Sequence, residues 1–216
     1  MQVIRSLDEM KEIASALRAE GKATALVPTM GYLHEGHLSL IDLARERCDS
    51  VIVSIFVNPI QFGAGEDFEK YPRDLDRDIA CCEECGVDWV FAPADEDMFS
   101  QDHSTFVEET QVAKVLCGLS RPTHFRGVTT VCLKLFSLCQ PAIAVFGQKD
   151  AQQVVILKRM AKDLCLPVEI LQGSTFREPD GLAMSSRNVH LDEDQRKDAL
   201  LLPQSLAAGK DLVDQG

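Results

Sequence analysis

The sequence predicts an α/β fold, a doubly wound parallel sheet with helices on both faces. Two features carry that expectation. Short apolar, β-branched runs alternate with amphipathic stretches of helical period, and the segments richest in unusual polar residues fall directly after three of those runs. Open sheets of this kind bind ligands outside the carboxyl ends of their strands. At 216 residues, 45% of them hydrophobic, the chain can form one good-sized core, or one core plus the beginning of another.

Ser6 followed three residues later by Glu9 has the spacing of a capping box and opens an amphipathic helix that runs to about Glu20 and stops at Gly21. Strands are expected at residues 23–27, 51–57, 88–92, 142–146 and 168–171. Helical patterns lie between them at 38–48, 75–85, about 128–139 and about 151–164. After Asn188, Asp192 and Gln195 form another cap signal, followed by Leu200, Leu201, Leu202, Leu206, Leu212 and Val213. That stripe needs a surface to pack on. Residues 1–188 therefore read as the main domain, and 189–216 as the start of an incomplete C-terminal domain or a dimer-packing element. No internal repeat or low-complexity tract is present.

Arg and Lys number 22 against 34 Asp and Glu, a formal net charge of −12, and no basic block is segregated to offset it. Such a surface repels nucleic-acid phosphates. The N-terminus M-Q-V-I-R-S-L-D-E-M lacks an apolar signal core, and no apolar run approaches the roughly 18 residues of a membrane span, so the chain is expected in the cytosol. Eight cysteines in that setting read as reduced thiols. Cys82 and Cys85 form a lone C-x-x-C without a second pair, which favours helix-face packing over a metal site.

The chemistry concentrates in four segments. P-T-M-G-Y-L-H-E-G-H (28–37) lies between the first main strand and the next helix, a corner where unpaired helix N–H groups and the helix dipole favour an anion. Gly31 and Gly36 permit close backbone approach, and His34 and His37, three apart, place two imidazoles on one face of a first helical turn. Zinc is the weaker reading, because the zincin pattern H-E-x-x-H spaces its histidines by four and no third ligand is near. F-V-N-P-I-Q-F (56–62) ends the second strand and F-G-Q-K-D-A-Q-Q (146–153) follows the fourth. R-E-P-D-G-L-A-M-S-S-R-N (177–188), after the last strand, adds two hydroxyls and a guanidinium on a glycine-containing loop. Lys149, Arg187, Ser185, Ser186, His34 and His37 together offer donors and cations for a polyphosphate. Singly, Lys149 reads as a solvated lysine, Asp150 as a helix N-cap and the serines as turn residues; their joint placement at strand ends is what those readings leave unexplained. No P-loop and no G-x-G-x-x-G is present.

These segments, with Y-P-R (71–73) and H-F-R-G-V (124–128), closely resemble the motifs of the pantothenate synthetase (pantoate:β-alanine ligase) family, in order from the first main strand to Asn188. The H-x-G-H and M-S-S-R elements also resemble the two nucleotide signatures of class I aminoacyl-tRNA synthetases and related nucleotidylyltransferases. The resemblance implies a Rossmann-like domain with an H-x-G-H nucleotide site. It implies a two-step ligation in which ATP and (R)-pantoate give pantoyl adenylate and pyrophosphate, and β-alanine then displaces AMP. By the same resemblance Met30, Gly31, Tyr32, Leu33, His34, Glu35, Gly36 and His37 contact ATP, with His37 as acid, and His34, Lys149 and Arg187 share the catalytic work. Gly147, Gln148, Lys149, Asp150, Met184, Ser185, Ser186 and Arg187 hold ribose and phosphates, and backbone groups at Phe176 read adenine. Gln61 and Gln153 bind pantoate, with Asn58 on the same substrate loop as Gln61 and Gln61 also near β-alanine.

Magnesium is expected on the phosphates. Its protein ligands stay open: Asp78 is one candidate, although Asp74, Asp76 and Asp78 also read as a solvated helix face. The resemblance further implies a homodimer and small-molecule partners only. Two departures stand out: Gln148 replaces the family's usual Glu, and relatives continue past the position of residue 216 into a domain that covers the active site. The rival readings are a nucleotidylyltransferase, which would want more basic residues for an anionic acceptor, and a nucleotide-binding fragment without turnover.

Overall fold

The computed structural model describes residues 1–216 and contains one six-stranded, all-parallel sheet. Its strands are β1 (Gln2–Ile4), β2 (Thr24–Thr29), β3 (Ser50–Ile55), β4 (Trp89–Phe91), β5 (Ile143–Gly147) and β6 (Glu169–Gly173), in the order β1-β4-β3-β2-β5-β6. From β2 the chain builds outward through β3 to β4, then returns to place β5 on the other side of β2. The order reverses at β2 and β5, which opens a crevice at their carboxyl ends.

Helices α1 (Leu7–Ala19), α2 (Glu35–Arg45), α3 (Leu75–Glu84), α4 (Asp95–Met98), α5 (Cys117–Ser120), α6 (His124–Cys139), α7 (Ala151–Asp163), α8 (Glu193–Ala199) and α9 (Leu201–Gln215) complete the fold. Strand alternation divides the core. Leu26, Ile52 and Ala144 point to a 22-residue cluster with α1, α6 and α7, while Ala25, Val27, Val51, Val53 and Val145 point to a 13-residue cluster with α2 and α3. Both faces are therefore covered, as a doubly wound sheet requires.

Most expected elements are present within a few residues; β1 and the short helices α4 and α5 are additions, and α2 and α6 begin early. The edge strand β1 was not expected: only three residues long, it buries Ile4 but leaves Val3 exposed, too short a pattern to stand out. Helix α2 begins at Glu35 rather than 38, so His34 is its N-cap and His37 lies in its first turn. Helix α6 begins at His124 rather than near 128, taking the H-F-R-G-V segment into its first turns. Asp192 and Gln195 form a full capping box as expected, whereas Ser6 caps α1 by accepting from the Glu9 N–H without the reciprocal bond from the Glu9 side chain. All eight cysteines are free. Cys82, Cys132 and Cys139 are buried, and burial pushes the Cys82 and Cys132 thiols up to about 12. No cluster of His, Cys, Asp or Glu forms a metal-holding group, and no helix is long and apolar enough to cross a membrane.

Candidate active site

The crevice at the switch point is walled by Met30, His34, Gly36 and His37 from the β2–α2 corner, Asn58 and Gln61 from the loop after β3, Gly147, Lys149, Asp150 and Gln153 after β5, and Phe176 with Met184–Arg187 after β6. The four segments singled out in the sequence thus meet at one place. Gly31, Tyr32, Leu33, Glu35 and Gln148 do not reach its wall. Leu33 is fully buried in the core, Glu35 and Gln148 face outward, and Gly31 and Tyr32 form the turn behind the corner. Because Gln148 lies off the wall, the departure from the family's Glu is an exposed amide rather than a change in crevice lining.

The two histidines are locked by the start of α2. The His34 N–H donates to His37 Nδ1 at 3.3 Å, the Gly36 N–H donates to His34 Nδ1 at 3.1 Å, and the rings lie 4.0 Å apart. With both Nδ1 atoms accepting, each neutral ring carries its proton on Nε2, so both are neutral donors. Burial, then the neighbouring His34 and Lys149, pushes His37 down to about 3; burial and Lys149 lower His34 as well. His37 therefore stays uncharged until well below the ordinary histidine value. In the free protein it is a neutral hydrogen-bond donor.

Beside Met30 of the same corner lies an amide pocket. Asn58 Nδ2 donates to Gln61 Oε1 at 3.0 Å and to the Gly127 carbonyl at 3.1 Å, Gln61 Nε2 points at Met30 Sδ at 2.9 Å, and Asn58 Oδ1 is buried without a partner. Of the paired glutamines at the start of α7, Gln152 holds the loop before α5 through the Val112 and Val115 carbonyls, and Gln153 faces the crevice.

The cations are arranged as a rim. Lys149 Nζ lies 3.2 Å from Asp150 Oδ2, so Asp150 pairs with the lysine instead of capping α7 through its side chain. Arg187 Nε donates to Asp67 Oδ2 at 2.6 Å, Arg187 Nη2 to Asp67 Oδ1 at 3.0 Å, and the guanidinium stacks over Tyr71. Ser185 caps the turn by accepting from the Arg187 N–H at 3.3 Å, and the Ser186 hydroxyl donates to the Tyr32 carbonyl at 3.1 Å.

Asp78 overturns both readings made for it. It is 1% exposed, neither a solvated face residue like Asp74 and Asp76 nor an open metal ligand, and it accepts from the Tyr32 and Leu33 N–H groups at 2.7 and 2.6 Å. Sequence reasoning assigned no role to Tyr71, Arg121 and His124, which also line the crevice. Arg121 pairs with Glu66, and His124 Nδ1 lies 3.0 Å from the Gln61 carbonyl. The signal for Arg121 and His124 was the polar run R-P-T-H-F-R (121–126), and for Tyr71 the Y-P-R segment (71–73); neither directly follows a strand, so both fell outside the strand-end pattern.

A switch-point crevice that brings the H-x-G-H and M-S-S-R segments together beside a neutral amide pocket has the layout of a nucleotide-binding α/β enzyme of the H-x-G-H type. The family model for pantoate-beta-alanine ligase matches residues 2–215. The chain belongs to that family, whose enzymes join pantoate to β-alanine at the expense of ATP. It is 52% identical to the pantothenate synthetase of Caldicellulosiruptor bescii and 55% identical to that of Thermotoga neapolitana, in each case over all of this chain and 77% of the relative. A crystal structure of the Thermus thermophilus pantothenate synthetase superposes with a TM-score of 0.95 at 46% identity, over all of this chain and 77% of that one. The Francisella tularensis ligase, solved with beta-gamma ATP and beta-alanine, matches at a TM-score of 0.89 and 37% identity, over 94% of this chain and 78% of that one.

Proposed function

We propose that the crevice carries out both half-reactions of the ligation, with ATP on the histidine and Lys149 side and pantoate in the amide pocket. The observation that supports it is the meeting of His34, His37, Lys149 and Arg187 with Asn58, Gln61 and Gln153 around one crevice. A pantoate carboxylate oxygen attacks the α-phosphorus of ATP, the bond to the bridging oxygen breaks, and pyrophosphate leaves. The Nε2–H groups of the histidines, Lys149 and Arg187 are fixed donors for the charge that builds on it. The amine of β-alanine then attacks the acyl carbon, AMP departs with the electron pair, and the ammonium proton is lost to solvent. Neutral amides suit the pantoate side, since a cation there would hold the carboxylate that must act as nucleophile.

Asp150 is the one carboxylate on the crevice wall, which fits a magnesium ion held mainly by phosphate oxygens and water with at most one or two protein ligands. When bound, the ion neutralises charge on the triphosphate. The adenine reader is the backbone near Phe176, whose carbonyl accepts from the Met184 N–H at 3.0 Å. Residues 1–188 form the catalytic unit, and 189–216 begin a second one. A homodimer in the cytoplasm completes the reading, and sedimentation equilibrium checks its oligomeric part.

The test is exchange of labelled pyrophosphate into ATP. Exchange that depends on pantoate and not on a phosphorylated acceptor supports the proposal. ATP binding without exchange would overturn it.

A further inference from the structure

The turn that carries the histidines is not self-supporting. Gly31 and Tyr32 both have positive φ, 80° and 52°, and at a tyrosine this left-handed conformation is strained. Gly31 is held to glycine for a second reason: a Cβ there would lie 2.9 Å from Asp78 Oδ2 and 3.1 Å from the Ile55 side chain. Asp78, on α3, spends both carboxylate oxygens on the next two amides, at 2.7 Å to Tyr32 N and 2.6 Å to Leu33 N. It is almost fully buried, so water does not replace it. The peptide plane it fixes is shared: the Tyr32 carbonyl accepts from the Ser186 hydroxyl at 3.1 Å, and Arg77 stacks over the Tyr32 ring. One carboxylate from outside the crevice thus sits behind the H-x-G-H corner, one bond from the M-S-S-R loop.

We propose that Asp78 is the positioning residue of the ATP side, holding the Tyr32–Leu33 peptide so that His34, His37 and Ser186 keep their relative places. Its side chain does not line the crevice. The inference rests on the placement of ATP proposed above. It goes beyond it in assigning the geometry of both nucleotide signatures to a residue outside the crevice lining. A reacting group displaced by about 1 Å can lose on the order of a hundredfold in rate, so the effect is large even though Asp78 is remote.

The substitution Asp78→Asn keeps the shape but turns one acceptor into a donor facing a backbone N–H. In pantoate-dependent pyrophosphate exchange we expect kcat/KM for ATP to fall between about tenfold and a hundredfold. KM for pantoate should change little, and so should the magnesium concentration giving half-maximal exchange. The loss should be non-additive with Ser186→Ala, because the two residues act on one peptide. A merely structural role predicts a smaller active fraction with unchanged KM values, and a metal-ligand role predicts a raised magnesium requirement; either result overturns the proposal, as does a D78N enzyme with wild-type ATP constants. If D78N does not fold, Asp78→Ser, smaller and with one hydroxyl acceptor, is read by the same constants and judged by the same outcomes. Absence of exchange in the wild-type chain would instead count against the placement of substrates.

Discussion

Lys149 sits at the rim with its side chain 39% exposed, paired only to the neighbouring Asp150, so it is free to turn toward a phosphate. Removal of one preorganised donor to developing charge commonly costs about a hundredfold or more in rate. We expect Lys149→Ala to slow pyrophosphate exchange by that order while KM for pantoate stays near wild type; comparable exchange rates would remove Lys149 from the chemistry. His37 yields a prediction of stability. Its folded value of about 3 lies below the ordinary 6.5, so between those values the unfolded chain binds a proton that the folded one refuses. Its contribution is therefore complete above pH 6.5 and is lost as pH falls toward 3, with a slope of up to about 1.4 kcal/mol per pH unit. His34 and His124, also lowered by burial, act with the same sign. Denaturant unfolding at pH 7 and pH 5 should show His37→Gln losing less stability than wild type over that interval, and equal losses would contradict the assignment. The identity of the two histidines was legible from their spacing and the glycine between them. Their neutrality was not, because it comes from tertiary burial and from Lys149, over a hundred residues away in sequence.

At the level of elements, Gly127 shows how α6 positions the amide pocket. A Cβ on this residue would meet the Ile60 carbonyl oxygen at 2.4 Å and Gln61 Cα at 2.5 Å, both backbone atoms, so α6 packs directly on the turn that carries Asn58 and Gln61. The Gly127 carbonyl also receives the Asn58 amide. Gly127→Ala must push that turn away, at a typical overpacking cost of about 1–3 kcal/mol. We expect a lowered midpoint of thermal unfolding and a raised KM for pantoate, with KM for ATP less affected. A variant with unchanged pantoate kinetics would show that the turn gives way without moving Gln61. Alternation of strand and helix made the sheet and most helices readable, since burial on one face or both imposes period on the sequence. It did not reveal α6's first turn or the residues just before it, where His124 and Arg121 are polar because they reach into the crevice. Nor did it place Asp78, since a buried aspartate held by two amides looks in sequence like any acid in an acidic helix.

Over the whole molecule, a chain of formal charge −12 gathers His34, His37, Arg121, His124, Lys149 and Arg187 around one crevice. Arg121, Lys149 and Arg187 are each paired with a carboxylate and burial lowers the three histidines, so what the crevice offers an anion is a set of hydrogen-bond donors on an otherwise acidic surface. The segment after Asn188 divides by the same test of what it touches. Helix α8 is tied to the loop bearing the second nucleotide signature, with Arg196 bonded to Glu178 and Asp180, and Glu178 in turn receives the Asn188 amide. Helix α9 has no such anchor. None of its residues is buried, and Leu201, Leu202, Leu206, Leu212 and Val213 are 59–79% exposed. Stabilisation by apolar side chains scales with the area they remove from water, so a helix that buries almost none contributes almost nothing to the fold of this chain. Its amides should exchange with solvent far faster than those of β2 or α6. We therefore expect removal of residues 201–216 to leave both the unfolding midpoint and pantoate-dependent pyrophosphate exchange unchanged, and to raise solubility by deleting an exposed apolar stripe. Substitution of Arg196 by Ala, in contrast, should weaken ATP binding by loosening the Glu178–Asn188 loop. Paired calorimetry and exchange assays on the two variants make the comparison: a shortened chain that unfolds several degrees earlier or loses exchange would show that the leucines of α9 are covered in solution, by a second copy or by the crevice rim.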